Sequence, residues 1–498
     1  MAAQKNPEIQ HDKGVVQTKH ANFEENLAGT LLSPEEEKRL LRKIDLWLLP
    51  VMAMSYLFQL LDKTALASTA IMGIQADLHL KESEYSWASA IYYFGYLVAS
   101  YPVAMLMVRW KVGKVIAVCV FSWGVVFMLT ATCFNEKGLL ANRFFLGVFE
   151  SGLAPGLTVI VSMWYKRSEQ PLRHAVWFLG NTGGGIFGSL ILYAISHIHT
   201  IQPWKGVFVI FGTATIAWSV GVFLLLPDTP MTAWFLSVED RKKAVFRVKE
   251  NMTGIKNDKV KRAQIAEALL DVKSWLIVAS QLAANIPNGA VSTFSIIVIQ
   301  GFGFSTFETL LLSSVSYVLM IVLVLISTGG SSYFRNSRTY FMAFNLFISV
   351  AGTAMVRYVP ENQKWTRFAG TVLSGGFAAN FPLIMSLQSG NFGGFTKKTT
   401  VNAMSFVAYC GGNIIGPQLF LKKEAPVYKS GFLALMVCLA FGFALCWVTR
   451  FYLMWENRRR DRLASADEVA AFEEARRGVM VNLTDLTDKE IPHFRYVY

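Results

Sequence analysis

The sequence predicts an all-α membrane protein with twelve transmembrane helices, arranged as two six-helix halves that are parallel repeats. Two observations carry this expectation. Of 498 residues, 53% are hydrophobic and only 16% are charged, whereas soluble domains average roughly 25% charged residues. The apolar residues fall into runs of roughly 20, the length that crosses a hydrocarbon core about 30 Å thick. The second observation is internal similarity between two sets of six such runs.

Residues 1–43 form a polar tail ending in a basic helical stretch, Lys38 to Lys43. The first apolar run follows this tail and is expected to be an uncleaved span, not a signal peptide. An N-terminal six-helix bundle is expected over 44–226, with spans near 44–66, 85–106, 112–133, 140–164, 172–196 and 204–226. A charged central loop covers 227–273. The C-terminal bundle covers 274–455, with spans near 274–300, 306–328, 339–357, 366–388, 400–421 and 430–455. Residues 456–498 form a charged tail, with an amphipathic helix expected near Asp467 to Arg477.

The net charge of +13 would suggest nucleic acid on a soluble chain. Here the lysines and arginines gather in alternate short loops, so the positive-inside rule accounts for them and no nucleic-acid partner is expected. Lys38, Arg39, Arg42, Lys43, Arg109, Lys111, Lys114, Lys166, Arg167, Arg335, Arg338, Lys397 and Lys398 define the inner side. Both termini and the central loop are then cytoplasmic, and the sequons at Asn251 and Asn482 stay unglycosylated. The 13 Trp, 17 Tyr and 37 Phe are expected to face lipid or the interface.

The duplication shows as a nearly constant offset. Shifting by 228 residues carries Gly183, Gly184, Ile186 and Gly188 onto Gly411, Gly412, Ile414 and Gly416. Shifting by 224 carries Arg143, Phe144, Gly152 and Ala154 onto Arg367, Phe368, Gly376 and Ala378. Weak similarity at one period is the trace that repeated architecture leaves. The mid-span glycines suit close helix packing, since no strand precedes them to make a phosphate loop.

More specific motifs follow. The fourth span reads RFFLGVFESGLAPG from Arg143, and the next loop reads WYKRSEQPLR. LLPDTP ends the sixth span and is followed by AWFLSVEDRKKAV. GGNIIGPQLF lies in the eleventh, and the chain closes with DLTDKEIPHFRYVY. Together these resemble the fungal allantoate permease family, or anion:cation symporters, of the major facilitator superfamily. The resemblance runs from Leu40 onward. It implies a secondary transporter for plasma-membrane uptake of small organic anions such as allantoate, nicotinate, pantothenate or biotin, with protons and by alternating access. The stretch ASYPVAMLMVRWKVGK lacks the acid that the superfamily carries between its second and third spans.

Charges inside a bilayer cost roughly 2.5–3.5 kcal/mol each on insertion scales, so each calls for a reason. Spacings of three and four put Gln59, Asp62 and Lys63 on one face of the first span. They form either a substrate and proton site or an interfacial pair. The family also carries an acidic–basic pair there. Arg143 and Glu150 share a face of the fourth span about 10 Å apart along its axis. Glu150 is a candidate proton carrier, or else a structural carboxyl. Arg143 is a candidate counter-charge for an anion, or else a headgroup arginine. Asp62 and Glu150 are thus the proton-coupling candidates. Gln59, Lys63, Arg143, Asn285, Asn288, Asn380 and Asn413 are the substrate-binding candidates. Each amide serves equally well as glue between helices. Pro287, between Asn285 and Asn288, predicts a broken helix.

No cofactor or metal is expected: the five cysteines are scattered, and the His197/His199 pair is a poor ligand set. A membrane enzyme lacks any acid–base–nucleophile constellation. Export of a metabolite and nutrient sensing remain alternatives to uptake, and a monomer is expected.

Overall fold

The computed structural model describes residues 33–81, 83–166, 169–197, 201–252, 261–425, 427–463, 486–491 and 494–498. The expected helix at Asp467 to Arg477, the sequon at Asn482, the side chain of Asn251, Arg167 and His199 lie outside the described residues.

Ser33 starts the first helix. Its hydroxyl accepts from the Glu36 amide at 3.2 Å, and the Glu36 carboxylate accepts from the Ser33 amide at 3.1 Å. This reciprocal capping box satisfies two orphan donors. Helix α1, Pro34–Ala70, therefore begins well before the apolar run and carries the basic stretch on the same rod. Its 37 residues span roughly 55 Å at 1.5 Å each, so its polar first turns stand clear of the hydrocarbon.

The first half continues with α2 Glu84–Arg109, α3 Val112–Leu129, α4 Glu136–Glu150, α5 Leu153–Trp164, α6 Gln170–Ile195 and α7 Pro203–Leu225. Two helices follow between the halves, α8 Val238–Met252 and α9 Arg262–Leu270. The second half holds α10 Val272–Gly301, α11 Thr306–Tyr333, α12 Arg338–Tyr358, α13 Lys364–Ser374, α14 Phe381–Asn391, α15 Phe395–Gln418 and α16 Lys429–Leu463. Helices α4 and α5 make one span, and α13 and α14 make another. Among the described residues, eleven spans are long and apolar enough to cross a bilayer. The twelfth, α15, is 24 residues long but opens with the polar run Thr396 to Thr400.

Proline placement corrects one expectation. Helix α10 runs unbroken through Pro287. The breaks lie instead in the fourth and tenth spans, at Ser151–Gly152 and at the 3₁₀ turn Gly375–Asn380. A proline ring collides with the carbonyl four residues back. Pro155 and Pro382 place that collision at Ser151 and Ala378, inside the two breaks and beside glycines that bend cheaply. The corresponding residue for Pro287 is Ala283, within a helix that α15 supports along its length.

That support is a close-packed seam. A side chain at Gly412 would meet Asn285 Cβ at 2.7 Å, and one at Gly416 would meet the Ala290 amide at 2.7 Å. The first half repeats the seam. Gly180 and Gly184 press on Ala53 and Leu57, and a side chain at Gly184 would meet the Leu57 carbonyl at 3.0 Å. A shift of 228 residues carries Leu57 to Asn285 and Gly184 to Gly412, so the repeat conserves the contact itself. Between lipid-immersed helices such small-residue approaches supply the packing that hydrophobic burial cannot.

The halves touch at mid-depth and on the side away from the termini. Tyr85 donates to the Thr293 carbonyl at 3.0 Å. The hydroxyls of Ser89 and Thr293 lie 2.7 Å apart, and those of Ser189 and Ser313 lie 2.9 Å apart. Tyr93 meets Tyr409, and Tyr96 meets Phe406, with centroids 6.0 and 5.5 Å apart. The same face of α15 continues toward the terminal side through Asn402, Thr399 and Phe395, all exposed. The molecule is thus closed on one side and open on the side of its termini.

Gly412→Leu is expected to force α10 and α15 apart and to destabilise the protein by about 1–3 kcal/mol. Gly183 faces open space, so Gly183→Ala is expected to hold or slightly raise stability, by up to about 1 kcal/mol. Thermal unfolding of the two variants in nanodiscs separates these outcomes.

Candidate functional site

The closest backbone approach in the first half lies between α2 and α4. Gly95 abuts the carbonyl of Phe144, and Gly147 abuts that of Tyr92. A β-carbon at either position would overlap main chain. This contact buries the polar stripe of α4. Arg143 is 3% exposed, and its Nε and Nη2 lack a hydrogen-bond partner. Glu150 is fully buried, and neither carboxylate oxygen meets hydrogen-bond geometry with a partner. Tyr92 and Gln59 flank that carboxyl, with Lys63 and Arg143 as the neighbouring cations. Buried polar groups are normally paired, so a buried Arg143 with two unpartnered nitrogens near the buried Glu150 carboxyl marks a candidate binding region.

A cavity of about 20 Å³ lies beside them. Lys63, Tyr92, Tyr93, Arg143, Ser89 and Thr293 line it. The space holds roughly one water molecule, so an organic ligand enters only if the walls move. The Lys63 ammonium stands 5.4 Å from the Tyr93 ring centroid, within cation–π range. Tyr85, Ser89 and Thr293 close the roof on the side away from the termini, and the Tyr93–Tyr409 contact adjoins the open side. Two cations therefore converge on one small space at the junction of the halves.

Asp62 lies elsewhere. Successive helix residues differ by about 100°, so Asp62 and Lys63 cannot share a direction. The Asp62 carboxylate turns into the first half, where it accepts from Trp123 Nε1 and, at 3.4 Å, from the Thr215 hydroxyl. The single face expected for Gln59, Asp62 and Lys63 thus divides. Gln59 is directed toward Glu150, Lys63 lines the cavity and Asp62 sits in the α1–α3–α7 core.

The amides of the second half bind one another. Asn288 donates to Asn413 at 2.8 Å, Asn413 donates to Asn285 at 3.2 Å, and Asn285 donates to the Gln281 carbonyl at 2.7 Å. Asn380 accepts from Asn345 at 2.8 Å and donates to the Met342 carbonyl at 3.1 Å, fixing the broken tenth span to α12. None of Asn285, Asn288, Asn380 or Asn413 lines the cavity with Lys63 and Arg143.

Sequence reasoning missed Ser89, Tyr92, Tyr93 and Thr293. Most aromatics are expected at lipid or the interface, and Tyr85, Tyr92, Tyr93 and Tyr96 are exceptions, all buried. Their signal was the run YYFGY, which repeats aromatics around the glycine of the α2–α4 contact. Among the described residues, no group of three or more His, Cys, Asp or Glu could hold a metal ion. His197 stacks on Phe307 with centroids 4.4 Å apart.

The family model described as Major Facilitator Superfamily matches residues 52–417. The chain belongs to that superfamily. Within it, the chain is 34% identical to the allantoate permease of Saccharomyces cerevisiae over 93% of its own length and 87% of that protein's, and so is a member of the allantoate permease family. It is 36% identical to an uncharacterized transporter of Schizosaccharomyces pombe, over 93% of this chain and 88% of that one. Among solved structures, it is similar to a bacterial homologue of the human lysosomal transporter Spinster in its inward-facing, unoccupied conformation. That likeness has a TM-score of 0.61 at 15% identity and covers 81% of this chain and 96% of that one. The protein is therefore a multi-pass membrane transporter of the major facilitator superfamily and not an enzyme, and the Lys63–Arg143–Glu150 cluster lies where its halves meet.

Trp123→Phe removes the donor to buried Asp62. It is expected to lower stability by about 1–3 kcal/mol, read as a drop in unfolding temperature, while binding at the cavity is unaffected.

Proposed function

We propose that the protein takes up a small organic anion together with protons, by alternating access, at the plasma membrane with both termini cytoplasmic. It works as a monomer. On this reading the present state is open to the cytoplasm. The observation that carries the proposal is the full burial of the Glu150 carboxyl beside Lys63 and Arg143, with only the side chains of Tyr92 and Gln59 as neighbouring donors. Two cations facing an enclosed space suit a carboxylate. With Glu150 ionised, the protein supplies its own anion for those cations. Protonating Glu150 frees them for the substrate, so proton and anion are bound together and released together.

The energetics favour this pairing. Importing a monoanion against a negative interior costs roughly 2.3 kcal/mol per 100 mV. One accompanying proton makes the step electroneutral, and a second would draw on the membrane potential. Tyr93 and Tyr409 then separate as the halves rock, and the Tyr85–Thr293 roof opens in the other state. Asp62 is a second buried carboxyl, hydrogen-bonded by Trp123 and Thr215 and within electrostatic reach of Glu150 and Arg143. The amide cluster at Asn285, Asn288 and Asn413 orients substrate only if that seam opens. In the present state it joins helices. The similarity to an allantoate permease supports an organic anion, with allantoate the first compound to test.

The test is uptake of labelled allantoate, nicotinate, pantothenate and other carboxylates by cells expressing the chain, at two external pH values. Acidic medium is expected to raise uptake of at least one of them. Lys63→Gln and Arg143→Gln are expected to lower it about tenfold or more, equivalent to ~1.4 kcal/mol of lost binding. Glu150→Gln is expected to flatten its pH dependence. Unchanged pH dependence in Glu150→Gln, at normal surface abundance, would rule out the coupling role.

A further inference from the structure

The terminal-side ends of both halves carry buried charge that the transport cycle above does not use. In the second half, Asp488 is fully buried. Its two oxygens bind two lysines on different helices, Lys273 of α10 at 2.6 Å and Lys397 of α15 at 2.7 Å. Asp271 accepts from both lysines at 2.9 Å. The segment around Asp488 is held firmly. The Tyr496 hydroxyl donates to Asp488 at 2.8 Å, and Arg460 of α16 donates to the Asp488 carbonyl at 2.8 Å. Asn457 and Asn391 each bond the returning main chain, at Tyr496 and Val497. A side chain at Gly393 would meet the Asp488 amide at 2.6 Å, so the segment is seated directly on the protein.

The first half holds a counterpart of opposite sign. Arg247 lies on α8, in the stretch that follows the sixth span, and its side chain is fully buried. It binds Glu37 of α1 at 3.1 Å and also Glu169, the residue before α6. Both ties come from the segment after a half's sixth span. Both join that half's first span to its fifth. At the centre of the first tie Arg247 lies between two acids, and at the centre of the second Asp488, seconded by Asp271, lies between two lysines. A shift of 228 residues carries Glu169 onto Lys397, so the charge is inverted at an equivalent position.

We propose that Arg247 and Asp488 are paired positioning residues that clamp the terminal-side ends of the first and fifth spans, so that each half rocks as a rigid unit. The need follows from the open side. Among the described residues, the hydrogen bonds and ring contacts between the halves lie at mid-depth and on the closed side, and the ionic ties at the terminal-side ends run within each half. Buried ion pairs contribute little net stability compared with apolar packing, but breaking one by removing a single partner is strongly unfavourable. They therefore fix position more than they add strength. This inference is independent of which solute is carried.

Hydrogen exchange of the full chain in nanodiscs tests it, because exchange reports local opening segment by segment. Asp488→Asn is expected to speed exchange about tenfold at 272–280 and 395–402, with 37–45 and 169–177 unchanged. Arg247→Gln is expected to give the reverse pattern. Tyr496→Phe keeps the carboxylate and removes one of its donors, so it gives the Asp488→Asn pattern at smaller size, and it stands in if Asp488→Asn does not fold. Equal loosening of both halves by either variant, or no change in the tied segments, would overturn the proposal.

Discussion

Backbone-to-backbone approach at glycine is the constraint from which the rest of this structure follows. In lipid, helices gain nothing by hiding apolar surface from water, so they must find one another by close contact and internal polar bonds. The seams α1–α6 and α10–α15 do this with glycines four residues apart. The α2–α4 contact does it with Gly95 and Gly147. Each seam brings polar side chains along. The first-half contact at α2–α4 delivers Arg143 and Glu150 to the junction of the halves. The second-half seam delivers Asn285, Asn288 and Asn413, which satisfy one another.

The two halves thus share a scaffold and divide the work. Their breaks, glycine seams and terminal ties correspond, but their polar contents do not. The cavity with two cations draws both from the first half, with Ser292 and Thr293 of the second closing over it. Arg367, the repeat partner of Arg143, instead stands 4.4 Å from the Phe302 ring centroid. A duplicated scaffold leaves one copy free to become a wall while the other holds the charges.

Much of this was legible in the sequence, because hydropathy and glycine spacing are local signals. Twelve spans, the repeat and the glycine packing all follow from residue order. Lys63, Arg143 and Glu150 stood out because charge in a bilayer needs a reason. What could not be read was direction. Gln59, Asp62 and Lys63 look alike on a helical projection, yet only their neighbours decide that Asp62 turns to Trp123. The amides were ambiguous for the same reason, since an asparagine is equally able to hold a ligand or another asparagine. Pro287 misled because a proline breaks a helix only where nothing holds the helix together, and α15 holds α10. The partnership of Asp488 with Lys273 and Lys397 joins residues too far apart in sequence for any local pattern to reveal.

The two terminal ties also differ in when the growing chain can complete them. The first half contains everything its tie needs once Arg247 has been made, whereas the second half waits for Asp488, almost a half-chain later. In that interval Asp271, made two residues before Lys273, is already available to hold both Lys273 and Lys397. The second half can thus begin its tie from its own helices, and the end of the chain locks what Asp271 has gathered.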